Sequence, residues 1–281
     1  MRNLIQRYGG LFLLVIGILI IFIGSILVAD TYQISNLFDY FDTITVLGCV
    51  VVLVKNHKTL KSSDWLLGMS VAIIVGVGMN FKTLYSPYPF FGIVKGNLWQ
   101  SLIRSSYTLL AILGGLIIMR QGGPVQFRIA NSEWKKSGKS ILVGLMIGLP
   151  LAVINIFALQ ITENQPVIWQ HPFAALLDAL QPAIVEELIY RFALLGLFWK
   201  VLHVSIPKQA AWISGLLVLF IHNFAHLGDL FLENPLLALG MGTVMSIIWG
   251  LPETLLALRR DIDSAISFHY IQDFTRFISG F

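Results

Sequence analysis

Gln181 to Arg191 reads QPAIVEELIYR. Glu186, Glu187 and Arg191 stand inside a run, Ala174 to Trp199, that is otherwise almost entirely apolar and long enough to cross a bilayer. A charged side chain near the centre of a membrane helix costs about 2.5–3.5 kcal/mol on insertion scales, so such residues face a bundle interior and mark function. On an α-helix, residues four apart share a face and adjacent ones are turned by about 100°. Glu187 and Arg191 therefore pair, which leaves Glu186 as the carboxylate free for chemistry. A purely structural role for all three is the weaker reading, because one neutral pair would suffice and a third charge adds cost.

The rest of the chain supports a membrane setting for this run. Of 281 residues, 56% are hydrophobic and only 12% charged, and the mean hydropathy is +0.78. That composition predicts an all-α, polytopic transmembrane helix bundle and argues against a soluble domain. Apolar runs at Leu11–Ala29, Leu37–Val54, Trp65–Phe81, Leu98–Met119, Ile141–Leu159, Ala174–Trp199, Ala210–His226, Pro235–Leu258 and Ile262–Ile278 give about eight or nine membrane helices. The first follows Arg2 and Arg7 and reads as an uncleaved anchor. The net charge of +4 reads as topology signal, with no nucleic-acid partner. Placing the N-terminus in the cytoplasm puts Lys55, Lys58, Lys61, Arg120, Arg128, Lys135, Lys136, Lys139, Lys200, Lys208, Arg259 and Arg260 on one side. The opposite loops hold Lys82 and Lys95 with Asp30, Glu163, Asp229 and Glu233. The expected home is the plasma membrane, with the lipid bilayer as a partner.

The longest polar connection, Gln121 to Ser140, divides residues 1–140, an N-terminal set of membrane helices, from residues 141–281, which carry the unusual polar residues. Cys49 is the single cysteine and reads as a small buried or lipid-facing side chain. Arg104 lies at membrane depth and is expected to pair with Asp39 or Asp42, or to reach an interface. Tyr85–Phe91, rich in proline and aromatic residues, reads as a structured loop rather than as an interfacial anchor.

In the C-terminal half, His222 and His226 lie four apart on one helix, and so do His269 and Asp273 on another. An aspartate at that spacing accepts from one imidazole nitrogen and fixes the tautomer at the other. Three His, two Glu, an Asp and an Arg from three helices form a parts list for activating water, by a general base or through a metal. The sequence contains no G-x-S-x-G, HExxH or Walker-type stretch, and no Ser or Cys is set beside a His as a nucleophile.

EELIYR fits the EExxxR motif, and with the two downstream histidine motifs the stretch from Leu176 to Phe274 resembles the CPBP intramembrane endopeptidases, the group of CAAX prenyl proteases and bacteriocin-processing proteins also called the Abi family. The resemblance implies that Glu186 is the catalytic carboxylate, with Glu187 its neighbour and Arg191 the motif arginine. It also implies that Glu186 and the second-motif histidine activate water, while His269 and Asp273 hold water or the developing oxyanion. The second motif, FxxxH, fits less well: His222 has Val218 in the Phe position, and His226 has His222 there. Both histidines stay candidates.

The function expected from these residues is peptide-bond hydrolysis within the membrane on a protein or peptide substrate, whether membrane-anchored, prenylated or neither. The expected site is Glu186, Glu187, Arg191, His222, His226, His269 and Asp273, with Glu186 facing the histidines of two later helices. No cofactor is expected; zinc or another divalent metal on the histidines and a carboxylate is the alternative. The rival functions are a proton-coupled transporter, which would use the same buried Glu and His, and a non-catalytic scaffold or immunity protein of the same fold.

Overall fold

The computed structural model describes residues 2–32, 37–84 and 89–281. Among them the chain is helical apart from turns and one isolated bridge between Phe90 and Val94. Five helices come first: α1 (Arg2–Tyr32), α2 (Leu37–Asn56), α3 (Ser62–Phe81), α4 (Asn97–Arg120) and α5 (Trp134–Glu163). Helix α6 (Pro172–Gln181) then runs without a break through a π-helical segment, Pro182–Leu194, into α7 (Leu195–His203). After α8 (Ala210–Ala225) and the short α9 (Gly228–Glu233), α10 (Pro235–Met245) continues through a second π-helical segment, Ser246–Gly250, into α11 (Leu251–Arg259). The last helix is α12 (Ile262–Ile278).

Six of these rods are long and apolar enough to cross a membrane, the continuous Pro235–Arg259 among them. The charged rod of residues 172–203, the 16-residue α8 and the 17-residue α12 fall outside that set, so the eight or nine membrane helices expected from the sequence hold only approximately. Leu66, Met146, Phe157 and Leu236 point outward, whereas the interior holds Asp39, Asp42, Glu187, Arg191, His222 and Asp273. Apolar outside and charged within is the distribution that a lipid surround favours.

The π-helical segment of residues 182–194 is the axis of the bundle. Glu187 through Leu194 are all buried in it, and α2, α4, α6, α7, α8, α11 and α12 pack around it. Gly115 lets α4 approach, since a Cβ there would meet the Phe192 ring. Helix α12 is held from the other side by α5. A Cβ on Gly144 would run into the Ser264 carbonyl, the Ser267 hydroxyl and the Phe268 amide, and one on Gly148 would reach the Phe268 carbonyl at 3.0 Å. This small-xxx-small spacing allows the two backbones to touch, and so fixes the depth and rotation of the helix that carries His269 and Asp273.

The N-terminal helices reach the axis through a buried ion cluster. Arg104 on α4 pairs with both Asp39 and Asp42 on α2, as the isolated membrane-depth arginine led one to expect. Of the Tyr85–Phe91 stretch, residues 85–88 lie outside the described residues. Its end is a structured loop, in which the Phe91 amide donates to Asp39 Oδ2 at 2.8 Å.

Candidate active site

The local cause of the unusual axis is Pro182. Proline has no N–H to close the turn onto residue 178, and its ring crowds that carbonyl. From Pro182 to Leu194 the helix is of the wider i→i+5 type. The second π-helical segment, Ser246–Gly250, likewise adjoins a proline, Pro252. Adjacent carboxylates on such a segment still point to different neighbours, and here they separate two polar clusters.

In the first cluster, Glu186 meets helix α8. Its Oε2 lies 2.8 Å from His222 Nε2 and 3.9 Å from His226 Nε2. His222 is buried, and its Nδ1 makes no hydrogen bond among the described residues. Its ring packs against Tyr190 at 4.8 Å and edge-on to Phe38 at 5.8 Å. The Nε2–H of His222 thus donates to the carboxylate, which leaves Nδ1 as the bare nitrogen in an aromatic wall. His226, with its side chain 39% exposed against 4% for His222, stands at the mouth of the site.

In the second cluster, Glu187 meets α11 and α12. Its Oε1 accepts from Arg191 at 2.5 Å and lies 2.9 Å from His269 Nδ1. The other ring nitrogen of His269 lies 3.3 Å from Asp273 Oδ2, whose partner oxygen is 3.0 Å from Arg276 Nη2. Glu253 on α11 completes the group, paired with Arg191 Nη2 and 3.9 Å from His269 Nδ1. The His222 and His269 rings, one from each cluster, are 6.1 Å apart.

All seven residues singled out from the sequence are therefore brought together, but not as one shell around Glu186. The carboxylate does not face two helices: both its histidines come from α8 and its C-cap, and His269 belongs with Glu187. The Glu187–Arg191 pair forms as its spacing demands, yet Arg191 is shared with a third carboxylate. Glu253 escaped the sequence reading because it was taken into the Pro235–Leu258 span. Its signal was the same one that exposed Glu186, an acidic residue in an apolar run.

Each cluster gathers three side chains whose ligand-type atoms lie within 4.8 Å of one another: Glu186, His222 and His226 in one, Glu187, Glu253 and His269 in the other. The second does not fit a metal, since the Arg191 guanidinium already sits on both carboxylates and would repel a cation. The first fits better, with two imidazoles, one carboxylate and an open edge, a donor set suited to zinc.

Residues 168–275 match the family model described as type II CAAX prenyl endopeptidase, Rce1-like, a stretch that holds both clusters except Arg276. No curated protein and no solved structure matches the chain.

Proposed function

We propose that this multi-pass membrane protein, whose residues 168–275 match the Rce1-like type II CAAX prenyl endopeptidase model, hydrolyses peptide bonds with a water activated by Glu186 and His222. The observation that carries this reading is the 2.8 Å contact between Glu186 Oε2 and His222 Nε2, beside the exposed ring of His226. A carboxylate hydrogen-bonded to an imidazole and open on one side is equipped to take a proton from water. The water oxygen then attacks the scissile carbonyl. His269, steered by Asp273, donates to the oxygen that becomes negative. Collapse of the tetrahedral intermediate breaks the C–N bond, and the proton held by Glu186 passes to the leaving amine. His222 is the partner in proton transfer, and His226 at the mouth orients water or substrate. The substrate is a protein or peptide; the family description favours a prenylated C-terminal segment as the first to test.

A proton-coupled transporter would also bury Glu and His, but the Rce1-like match speaks for the protease, and Glu186→Gln separates the two. In purified protein, that variant should cut the rate of cleaving a farnesylated C-terminal peptide by about 10²–10⁴-fold. Cells expressing wild type or the variant should differ in the peptides they release. Cleavage at the wild-type rate would refute the assignment.

A second reading rests on the donor set of the first cluster. Glu186, His222 and His226 would hold zinc, which would supply Lewis-acid polarisation and a more acidic bound water. Elemental analysis of protein purified without added metal decides between the two. Stoichiometric zinc with chelator-sensitive cleavage would overturn the metal-free mechanism.

A further inference from the structure

His269 has an acceptor at each ring nitrogen: Glu187 Oε1 at 2.9 Å and Glu253 Oε1 at 3.9 Å from Nδ1, and Asp273 Oδ2 at 3.3 Å from Nε2. With Nδ1 donating to Glu187, a neutral imidazole would turn an unprotonated Nε2 toward the Asp273 carboxylate, whose Oδ2 makes no hydrogen bond among the described residues; only the imidazolium also carries a proton on Nε2, where it stays available to an incoming carbonyl. The charges of the cluster point the same way. Three carboxylates, Glu187, Glu253 and Asp273, face two guanidinium groups, Arg191 and Arg276. Three negative charges less two positive ones leave one unbalanced. A buried cluster with an uncompensated charge is costly, and a cationic His269 brings the sum to zero.

Among the described residues, a further titratable neighbour is His222 of α8, whose ring is 6.1 Å away; Glu186 and His226 belong with it in the first cluster. Helices α5 and α6 also pack on α12. Among the described residues, the ionisable group that α6 buries, Asp178, accepts instead from the Thr83 and Leu84 amides, and the charged residues of α5 stand near its two ends. The balance at His269 is therefore set by the carboxylates of the π-helical segment, α11 and α12.

We propose that Glu253 is a positioning residue, the third carboxylate that keeps His269 protonated on both nitrogens, so that the ring meets the reacting carbonyl as a cation rather than as a second base. Glu253 is placed for this by α11: it is buried, anchored on Arg191 through one oxygen and turned to His269 with the other. Without it, Glu187 with Arg191 and Asp273 with Arg276 neutralise each other in pairs, and nothing remains for a histidine cation to balance. This inference rests on the hydrolytic reading for its catalytic meaning, but the charge state of the ring can be measured without turnover.

The test is ¹⁵N-histidine NMR of the full chain in detergent micelles at pH 7.5, with the His269 signals identified by their loss in His269→Asn. In wild type both ring nitrogens should show the imidazolium pattern. Glu253→Gln should lose that pattern and give a neutral tautomer, and Glu253→Asp should keep it. On a cleavable peptide, Glu253→Gln should lower kcat by about ten-fold or more, as loss of a transition-state contact would, with KM little changed. A neutral His269 in wild type overturns the proposal even if Glu253→Gln fails to fold. So does an imidazolium that persists in a folded Glu253→Gln. Failure of the hydrolytic reading would appear separately, as unchanged cleavage in Glu186→Gln.

Discussion

Replacing Arg191 with methionine should destabilise the protein more than almost any other single change. The guanidinium is fully buried, as is Glu187, and Glu253 is only 6% exposed. Removing one partner of a buried, hydrogen-bonded ion pair costs about 3–5 kcal/mol, because the group left behind keeps its charge and has lost its counter-ion. Here two carboxylates are stranded at once, and His269 can compensate only one of them, so the upper end of that range is expected. Methionine keeps the bulk of the aliphatic stem, which keeps the cavity contribution small. The assay is equilibrium unfolding in mixed micelles, followed by far-UV circular dichroism. The decisive comparison is the triple variant Arg191→Met, Glu187→Gln, Glu253→Gln, which removes the stranded charges along with the arginine. It should recover most of the loss, since neutral replacement of a whole buried ion cluster is often close to neutral in stability. The interaction energy from the full mutant cycle should then be several kcal/mol. Wild-type stability in Arg191→Met, or a further loss in the triple variant, would refute the electrostatic account of the axis.

Gly144→Ala should cost about 1–3 kcal/mol by overpacking, because the new methyl meets the backbone of α12 at Ser264 and Phe268. Gly138→Ala, on the same helix with nothing within 4 Å, should be neutral or stabilising by up to about 1 kcal/mol, and thermal melts of the two variants separate packing from helix propensity. In the polar loop before α5, hydrogen bonds from Lys136 and Arg128 hold the Glu133 carboxyl below its ordinary 4.5. A depressed carboxylate contributes stability that is complete above the unfolded value and is lost as pH falls through the folded one. The difference in loop protection between wild type and Glu133→Gln, read by hydrogen exchange at Asn131 and Ser132, should therefore hold above pH 4.5 and fade below it.

The cost of a charge in hydrocarbon made much of this site readable from the chain. That single criterion picked out Glu186, Glu187, Arg191, His222, His226, His269 and Asp273, and also Arg104, whose pairing with Asp39 and Asp42 follows from there being few other anions at its depth. Two things were not readable. The first is the π-helical form of residues 182–194. A helix apolar on all sides carries no clear periodicity, so nothing in VEELIYRFAL separates 3.6 residues per turn from the wider winding. The second is the allocation of partners. Whether His269 meets Glu186 or Glu187 depends on the rotation of α12 about its own axis, which the close contact of Gly144 and Gly148 with α12 fixes through tertiary packing. Glu253 was legible by the same criterion and was hidden only by being counted within a span.

The two clusters also differ in how they meet the surroundings, and this bears on where substrate enters. Glu187 and Arg191 are sealed, while exposure rises towards His226 at the end of α8 and Arg276 near the end of α12. Both ends lie away from the loops that carry Lys200, Lys208, Arg259 and Arg260, since α8 begins after Lys208 and α12 begins after Arg260. The open edge therefore faces the end of the bundle opposite those basic loops. If basic loops mark the cytoplasmic side, that edge lies toward the other face of the membrane, and His226 is the first of the first cluster's side chains reached from there. Glu186 and His222 lie behind it, with His269 across the gap.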